Sequence, residues 1–231
     1  MKILYLIPAR GGSKGLLGKN IKPLDEIPLV NYSIEAARTV ASDKDICVST
    51  DSEEIKKIAE SANLKVPFLR PDALADDKAG MSGVIVHALD FYNENKNIKY
   101  DAVMLLQPTS PFRKTFHLSD VREIYQENPD VEMIVSVGIS HHNPYFSLVE
   151  ENSAGYLELV KKADFQIRQD CPAVYFYNGS IYLINARAIK NKSSGEFTKV
   201  KKYVMDDKYC VDIDTIADWE FAEYLVKNNK L

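Results

Sequence analysis

The chain has 231 residues and a mass of 26.1 kDa, enough for one substantial hydrophobic core. Its 29 Lys and Arg stand against 33 Asp and Glu, and with a net charge of −4 and a pI of about 5.7 this argues against a general nucleic-acid binder. Three cysteines with no C-x-x-C pair suggest neither a disulfide framework nor a zinc knuckle, and the first apolar run, ended by Pro8 and Arg10, is too short for a membrane span or signal core, so a cytoplasmic protein with no membrane partner is expected.

KILYLI opens the chain as a short buried strand and runs straight into the glycine-rich, basic stretch PARGGSKGLLGKNI. Residues 29 to 40 have helical spacing. DIC-VSTD then reads as a strand, followed by a helix over 51 to 63 in which Ile55, Ile58, Ala59 and Ala62 share a face. Asp51 with Glu54 three residues on resembles a capping box for that helix. Residues 81 to 94 and 115 to 127 give two more helices, around the strand run YDAVMLLQ, and VEMIVSV follows as a fourth strand. Between about 140 and 176 the alternation weakens, and this segment reads as an insertion whose pieces YLELV and VYFYNGSIYLI form a small β excursion suited to packing on another subunit. Thr215 and Asp218 predict the cap of a last helix that buries Trp219, Ala222, Leu225 and Val226. Strands alternating with helices predict a single α/β domain over 1–231, built on a mostly parallel sheet.

The loop after the first strand carries the clearest chemical signal. In an open α/β sheet it sits at the strand's carboxyl end, where such folds bind ligands. Gly11, Gly12, Gly15 and Gly18 would let backbone N–H groups face an anion, and Arg10, Lys14 and Lys19 supply positive charge, so a polyphosphate is the expected guest. The alternative is a solvated loop with incidental lysines. A P-loop is excluded, because Ser13 stands where its first glycine belongs and Asn20 follows Lys19; the dinucleotide pattern G-x-G-x-x-G fails as well, since Ser13 also lies two positions before Gly15.

Near the C-terminus, Asp212 and Asp214 flank Ile213 in VDIDT. In a strand, residues i and i+2 point to one face, so both carboxylates converge while Ile213 enters the core, two hard oxygen ligands suited to Mg²⁺ that is completed by water and phosphate oxygens; an exposed strand edge is the alternative. Gln107 ends the run YDAVMLLQ just before the turn Pro108 to Pro111, which places its amide at the site or against the turn's own backbone.

ARGGSKGLLGKNI resembles the signature of the acylneuraminate cytidylyltransferases, the CMP-sialic acid synthetase family, with Leu17 where proline is usual. The resemblance continues in family order through VSTD, LRP, LLQPTSP, RQD, NGSIY and VDIDT, over nearly the whole chain. It implies a nucleotidyltransferase-type, Rossmann-like sheet with helices on both faces and a dimerisation insertion, and hence a homodimer. It also implies a reaction in which the anomeric hydroxyl of a nine-carbon 2-keto acid sugar attacks the α-phosphorus of CTP, giving CMP-sugar and pyrophosphate, with Mg²⁺ as cofactor. By the same resemblance Arg10, Gly11, Gly12, Lys14, Lys19, Asn20 and Arg70 hold the nucleotide, although Arg70 is equally consistent with an ion pair at a loop edge. Gln107, Arg168, Tyr177 and Asn178 face the sugar, the tyrosine being equally consistent with packing. Arg168 is suited to a bidentate clamp on the sugar carboxylate and, from its place in the insertion, to reaching a partner subunit's site. Asp212 and Asp214 hold the metal, and Arg10, Lys19, Arg168 and Asp214 form the catalytic group. Two rival readings share these features: a metal-dependent glycosyltransferase that takes a nucleotide sugar, and a non-catalytic nucleotide sensor.

Overall fold

The computed structural model describes residues 1–12, 15–76 and 80–231. Lys14, expected at the phosphates, lies outside them.

Strand β1 (Ile3–Pro8) is followed by the small ribbon β2 (Pro23–Leu24) and β3 (Ile27–Pro28), helix α1 (Leu29–Arg38), β4 (Ile46–Ser49) and α2 (Glu53–Ser61). Helix α3 (Met81–Lys96), β5 (Ala102–Leu105), α4 (Thr115–Glu127) and β6 (Met133–Ile139) come next. The chain then leaves the sheet for a hairpin of β7 (Val149–Glu151) and β8 (Leu157–Leu159), and returns as β9 (Tyr175–Asn185). Helix α5 (Ala186–Asn191), β10 (Val200–Val204) and α6 (Ile216–Lys227) complete it.

Six strands form one sheet in the order β10-β6-β9-β5-β1-β4. β1 runs parallel to β4 and β5, and β10 parallel to β6, while β9 lies antiparallel between β5 and β6. The sheet is therefore mostly parallel, as the alternation of strands and helices predicts. Side chains of β1 alternate between two cores: Ile3, Tyr5 and Ile7 pack with α1, α2, α4 and α6, whereas Leu4 and Leu6 pack with α3 and α5. Both faces are thus covered, which is why the central strands read as continuous apolar runs.

Two expectations are corrected. VYFYNGSIYLI is not part of the excursion, because Gly179 to Ile184 bury themselves between β5 and β6 and only Tyr175 to Tyr177 remain exposed. The excursion proper is the β7–β8 hairpin and its flanks. Helix α2 is capped by Ser52, whose hydroxyl accepts the Ile55 N–H at 3.4 Å, and not by Asp51. The carboxylate of Asp51 instead accepts the N–H of Gly11 at 2.9 Å. The Thr215 and Asp218 capping box forms as read, with the Asp218 carboxylate 2.7 Å from the Thr215 N–H.

At the start of α4 the buried His117 ring accepts the Lys114 N–H at Nδ1, 2.9 Å away, and stands edge-on to Tyr209. Burial pushes this imidazole down from 6.5 to about 4. The folded state therefore favours the neutral ring, and its contribution is complete above the unfolded-state value and lost as pH falls from 6.5 to about 4. The loss amounts to at most about 3 kcal/mol. Urea unfolding of the wild type and of His117→Asn at pH 7 and pH 4.5 checks this: the wild type is expected to lose more stability on acidification. An identical loss in both would show that the ring is not the titrating group.

Candidate active site

The carboxyl ends of β1, β4 and β5 open on a cavity of about 290 Å³. Its lining includes Arg10, Lys19, Asn20, Arg70, Gln107, Asp212 and Asp214, together with Gly15, Met81 and Thr109. Residues from the first loop, from the end of β5 and from the approach to α6 thus meet in one place.

Each is held by identifiable contacts. Asn20 donates from its amide to the Arg10 carbonyl at 2.9 Å, tying the far end of the glycine-rich loop to its start. Lys19 is nearly buried and donates from Nζ to the Asp214 carboxylate at 2.6 Å and to the Ile213 carbonyl at 3.0 Å. Arg70 is also buried; its N–H donates to the Thr50 carbonyl at 2.7 Å, and its guanidinium donates to the hydroxyl and carbonyl oxygens of Ser49. Burial lowers its pKa, which the charge of Asp51 partly offsets. Lys22 is not part of the cavity, since its ammonium sits 4.2 Å from the centre of the Trp219 ring.

Gln107 begins a tight turn in which its carbonyl accepts the Ser110 N–H at 3.2 Å, with Pro108 at the position where its fixed φ suits such a turn. Thr109 of that turn accepts the Ile213 N–H at 2.8 Å, docking the aspartate segment against it. Asp212 and Asp214 are not on a strand, but Val211 and Ile213 are buried and the aspartates exposed, so the alternation read from the sequence survives without a ladder. The carboxylate of Asp212 is held above its ordinary range by partial burial and by the charge of Asp214, against the lowering effect of the Thr109 hydroxyl.

Two glycines are required by geometry. A side-chain carbon at Gly15 would lie 2.4 Å from the Asp214 carbonyl oxygen, so the loop and the aspartate segment touch backbone to backbone. Gly179 has φ +73°, and a side-chain carbon there would come within 3.0 Å of Ser110 Oγ and 3.5 Å of the Asp212 carboxylate.

Five of the expected site residues, all among the described ones, do not line the cavity. The N–H of Gly11 is given to Asp51, and Gly12 also lies outside the lining. Asn178 is buried, and its amide is spent inside the protein: Oδ1 accepts from Ser136 Oγ at 2.6 Å and the Ser180 N–H at 3.1 Å, while Nδ2 faces the sulfurs of Met205 and Cys210. In this chain it shapes the bend at Gly179 and cannot meet a sugar directly. Tyr177 is 64% exposed, with its ring edge-on to Tyr182 at a centroid distance of 6.4 Å. Arg168 is also exposed and outside the cavity, in a short turn of the excursion. Cys47, buried in the sheet, has its thiol pushed up to about 12 by burial, which removes it as a nucleophile.

A larger recess of about 790 Å³ lies at the other end of the sheet, beside Tyr100, Asp101, Asn185 and Lys190. Three of its polar side chains are paired within the chain. Tyr100 donates to Asp45 at 3.0 Å, Asp101 accepts the Lys2 N–H at 2.7 Å, and Lys190 pairs with Asp90 at 2.5 Å. The smaller cavity, with its convergent cations and paired carboxylates, is the one equipped for chemistry.

The sequence model of a family described as cytidylyltransferase matches residues 4–231. The CMP-N,N'-diacetyllegionaminic acid synthase of Legionella pneumophila is 33% identical over 231 residues, 100% of this chain and 98% of that protein. The post-translational flagellin modification protein B of Campylobacter coli is 33% identical over 230 residues, 100% of this chain and 97% of its own length. The N-acylneuraminate cytidylyltransferase of Escherichia coli is 34% identical over 224 residues, 96% of this chain but 51% of that protein. Among solved structures, a CMP:2-keto-3-deoxy-manno-octonic acid synthetase complexed with CTP has a TM-score of 0.74, covering 99% of this chain and 100% of its own at 16% identity, a likeness of fold.

Proposed function

Because the chain belongs to the cytidylyltransferase family, among the CMP-sialic acid synthetases, and is an enzyme of the nucleotidyltransferase type, we propose that it joins CTP to a nine-carbon 2-keto acid sugar, a nonulosonic acid. The observation that carries this reading is the meeting of Arg10, Lys19 and Arg70 with Asp212 and Asp214 in one cavity at the strand ends. Three cations in a recess match a triphosphate, and two carboxylates on one face match a divalent cation.

In this reading the anomeric oxygen of the sugar attacks the α-phosphorus of CTP. The bond from that phosphorus to the bridging oxygen breaks, pyrophosphate leaves, and the hydroxyl proton passes to solvent. Arg10 and Lys19 neutralise the leaving pyrophosphate, Arg70 holds the nucleotide, and Gln107 orients the acceptor. Lys19 is bound to Asp214 by a 2.6 Å ion pair, and the triphosphate would draw it away and free that carboxylate.

The donor set fits Mg²⁺. Asp212 and Asp214 are hard oxygen ligands lining the same cavity, and the carboxylate of Asp212, held up first by burial and further by the charge of Asp214, is a group that a cation would stabilise. Among the described residues no third His, Cys, Asp or Glu joins them, so water and nucleotide oxygens would complete the shell. When bound there, the ion supplies polarisation of the α-phosphate and acidification of the sugar hydroxyl.

The excursion supports a homodimer as part of the proposal. Phe146, Leu148, Val149, Tyr156, Leu157 and Ile167 are all exposed on it, more apolar surface than one small hairpin ordinarily shows to water. Arg168 would then serve the partner's acceptor. Arg168→Lys is expected to raise the acceptor KM by about tenfold and the CTP KM far less, since a lysine cannot reproduce a bidentate clamp. Unchanged acceptor kinetics would remove Arg168 from the site. The free cysteines accord with a cytoplasmic enzyme.

The test is pyrophosphate release with CTP and Mg²⁺ against legionaminic, pseudaminic, sialic and deaminated nonulosonic acids, with ATP, GTP and UTP as controls. Release with CTP and an acceptor identifies the reaction and the sugar. A glycosyltransferase would need a preformed nucleotide sugar, and a sensor would bind CTP without product; either result overturns the proposal.

A further inference from the structure

Arg113, directly after the turn segment QPTSPF, is 4% exposed, yet its guanidinium donates in three directions. Nη2 donates to the Gln107 carbonyl at 2.5 Å, Nε to the Ser180 carbonyl at 3.1 Å, and Nη1 to the Ser33 hydroxyl of α1 at 2.8 Å. All three acceptors are neutral. Among the described residues, no carboxylate forms an ion pair with it, and the charge that supports its ionisation is that of Asp212. A buried cation with neutral partners is costly, and an apolar side chain of similar volume fills such a place more cheaply. Packing alone is therefore a poor reason for an arginine here.

Its partners give a better one. The Gln107 carbonyl is also the acceptor that closes the Gln107–Ser110 turn, so the guanidinium pins from behind a turn whose residues Gln107, Pro108 and Thr109 line the cavity. Ser180 follows Gly179, the bend that lies against the Asp212 carboxylate. The planar fork thus fixes, from one buried point, the Gln107 turn that lines the cavity and the bend that backs Asp212. The Arg10, Lys19 and Asn20 side, where the triphosphate is placed, has no contact with it.

We propose that Arg113 is a positioning residue that sets acceptor affinity, and not nucleotide affinity, by holding the Gln107 turn and the Gly179–Ser180 bend in register. This rests on the reading of Gln107 as facing the acceptor.

The test compares the wild type, Arg113→Lys, Arg113→Gln and Ser33→Ala in three measurements: CTP dissociation constant by calorimetry, acceptor KM at saturating CTP, and thermal midpoint. Arg113→Lys is expected to raise acceptor KM by at least about tenfold, since small misplacements at a site are expensive, while the CTP constant stays within about threefold. Ser33→Ala, which removes one partner outside the cavity, is expected to lower the midpoint and leave acceptor KM unchanged. If Arg113→Lys does not fold, Arg113→Gln, which keeps a donor for one carbonyl, is read by the same two constants. Equal weakening of CTP and acceptor, a Ser33→Ala effect on acceptor KM as large as that of Arg113→Lys, or no change in either constant would overturn the proposal. Failure of the wild type to turn over any nonulosonic acid would be a different result: it would overturn the reaction itself, and the positioning role with it.

Discussion

Asp212→Asn is expected to lower kcat/KM by about 100- to 1,000-fold with the fold intact, the usual size of losing one group that stabilises developing charge. Asp212 lines the cavity and is not part of either hydrophobic core, so the substitution leaves the core untouched. Two effects act together. The amide cannot offer a charged oxygen to a cation, and the electrostatic balance of Asp212 and Asp214 against Lys19 shifts toward excess positive charge. Titration of the variant with Mn²⁺ in the presence of CTP, read by electron paramagnetic resonance, should show weakened metal binding in parallel with lost activity. Were the metal requirement unchanged after removal of both aspartates, their assignment as ligands would have to be abandoned.

The second large effect is expected at Gly15. A methyl group there would sit 2.4 Å from the Asp214 carbonyl oxygen, a distance no backbone tolerates, so either the loop or the aspartate segment must move. Both carry cavity residues, and Lys19 bridges them through Asp214 and Ile213. Gly15→Ala should therefore reduce kcat/KM by about 100-fold, in line with the cost of an ångström-scale misplacement. Beyond the freedom to turn an N–H toward phosphate, this glycine has a second duty, close approach. Steady-state kinetics check the expectation, and a kcat/KM within twofold of wild type would show that the loop and the aspartate segment need not touch.

The parts of the fold with local signals were legible. Ile55 and Ala59 mark the buried face of α2, the Thr215 and Asp218 box marks the start of α6, and β1 is apolar throughout because both its faces are covered. What was misread depended on distant partners. Asp51 has the spacing of a helix cap but is drawn to Gly11, 40 residues away, and the neighbouring Ser52 takes the cap. β9 begins with three exposed aromatics and only then turns buried, so its first half disguised a strand at the centre of the sheet. β10 carries no strand signal in the sequence, since VKKYV places two lysines on an exposed edge strand.

The same division holds at the site. The basic loop and the paired aspartates announced themselves by composition and spacing, but their ion pair joins residues 195 apart in sequence. Asn178 sits in a stretch of aromatics and glycine that looks like a surface, yet its amide serves Ser136 and Ser180. Arg113 gave no signal, because an isolated arginine after Pro-Phe acquires meaning only when Ser33 and Ser180 arrive from 80 and 67 residues away.

In the proposed reaction this cavity brings an acceptor's anomeric oxygen to the α-phosphorus of CTP. Phosphorus NMR of the reaction with acceptor labelled by ¹⁸O at the anomeric hydroxyl tests it most directly. The expected result is an isotope-shifted CMP phosphodiester and unlabelled pyrophosphate, formed only when CTP and the nonulosonic acid are both present. Persistence of CTP with every acceptor, or a CMP product without the label in its bridging oxygen, would contradict it.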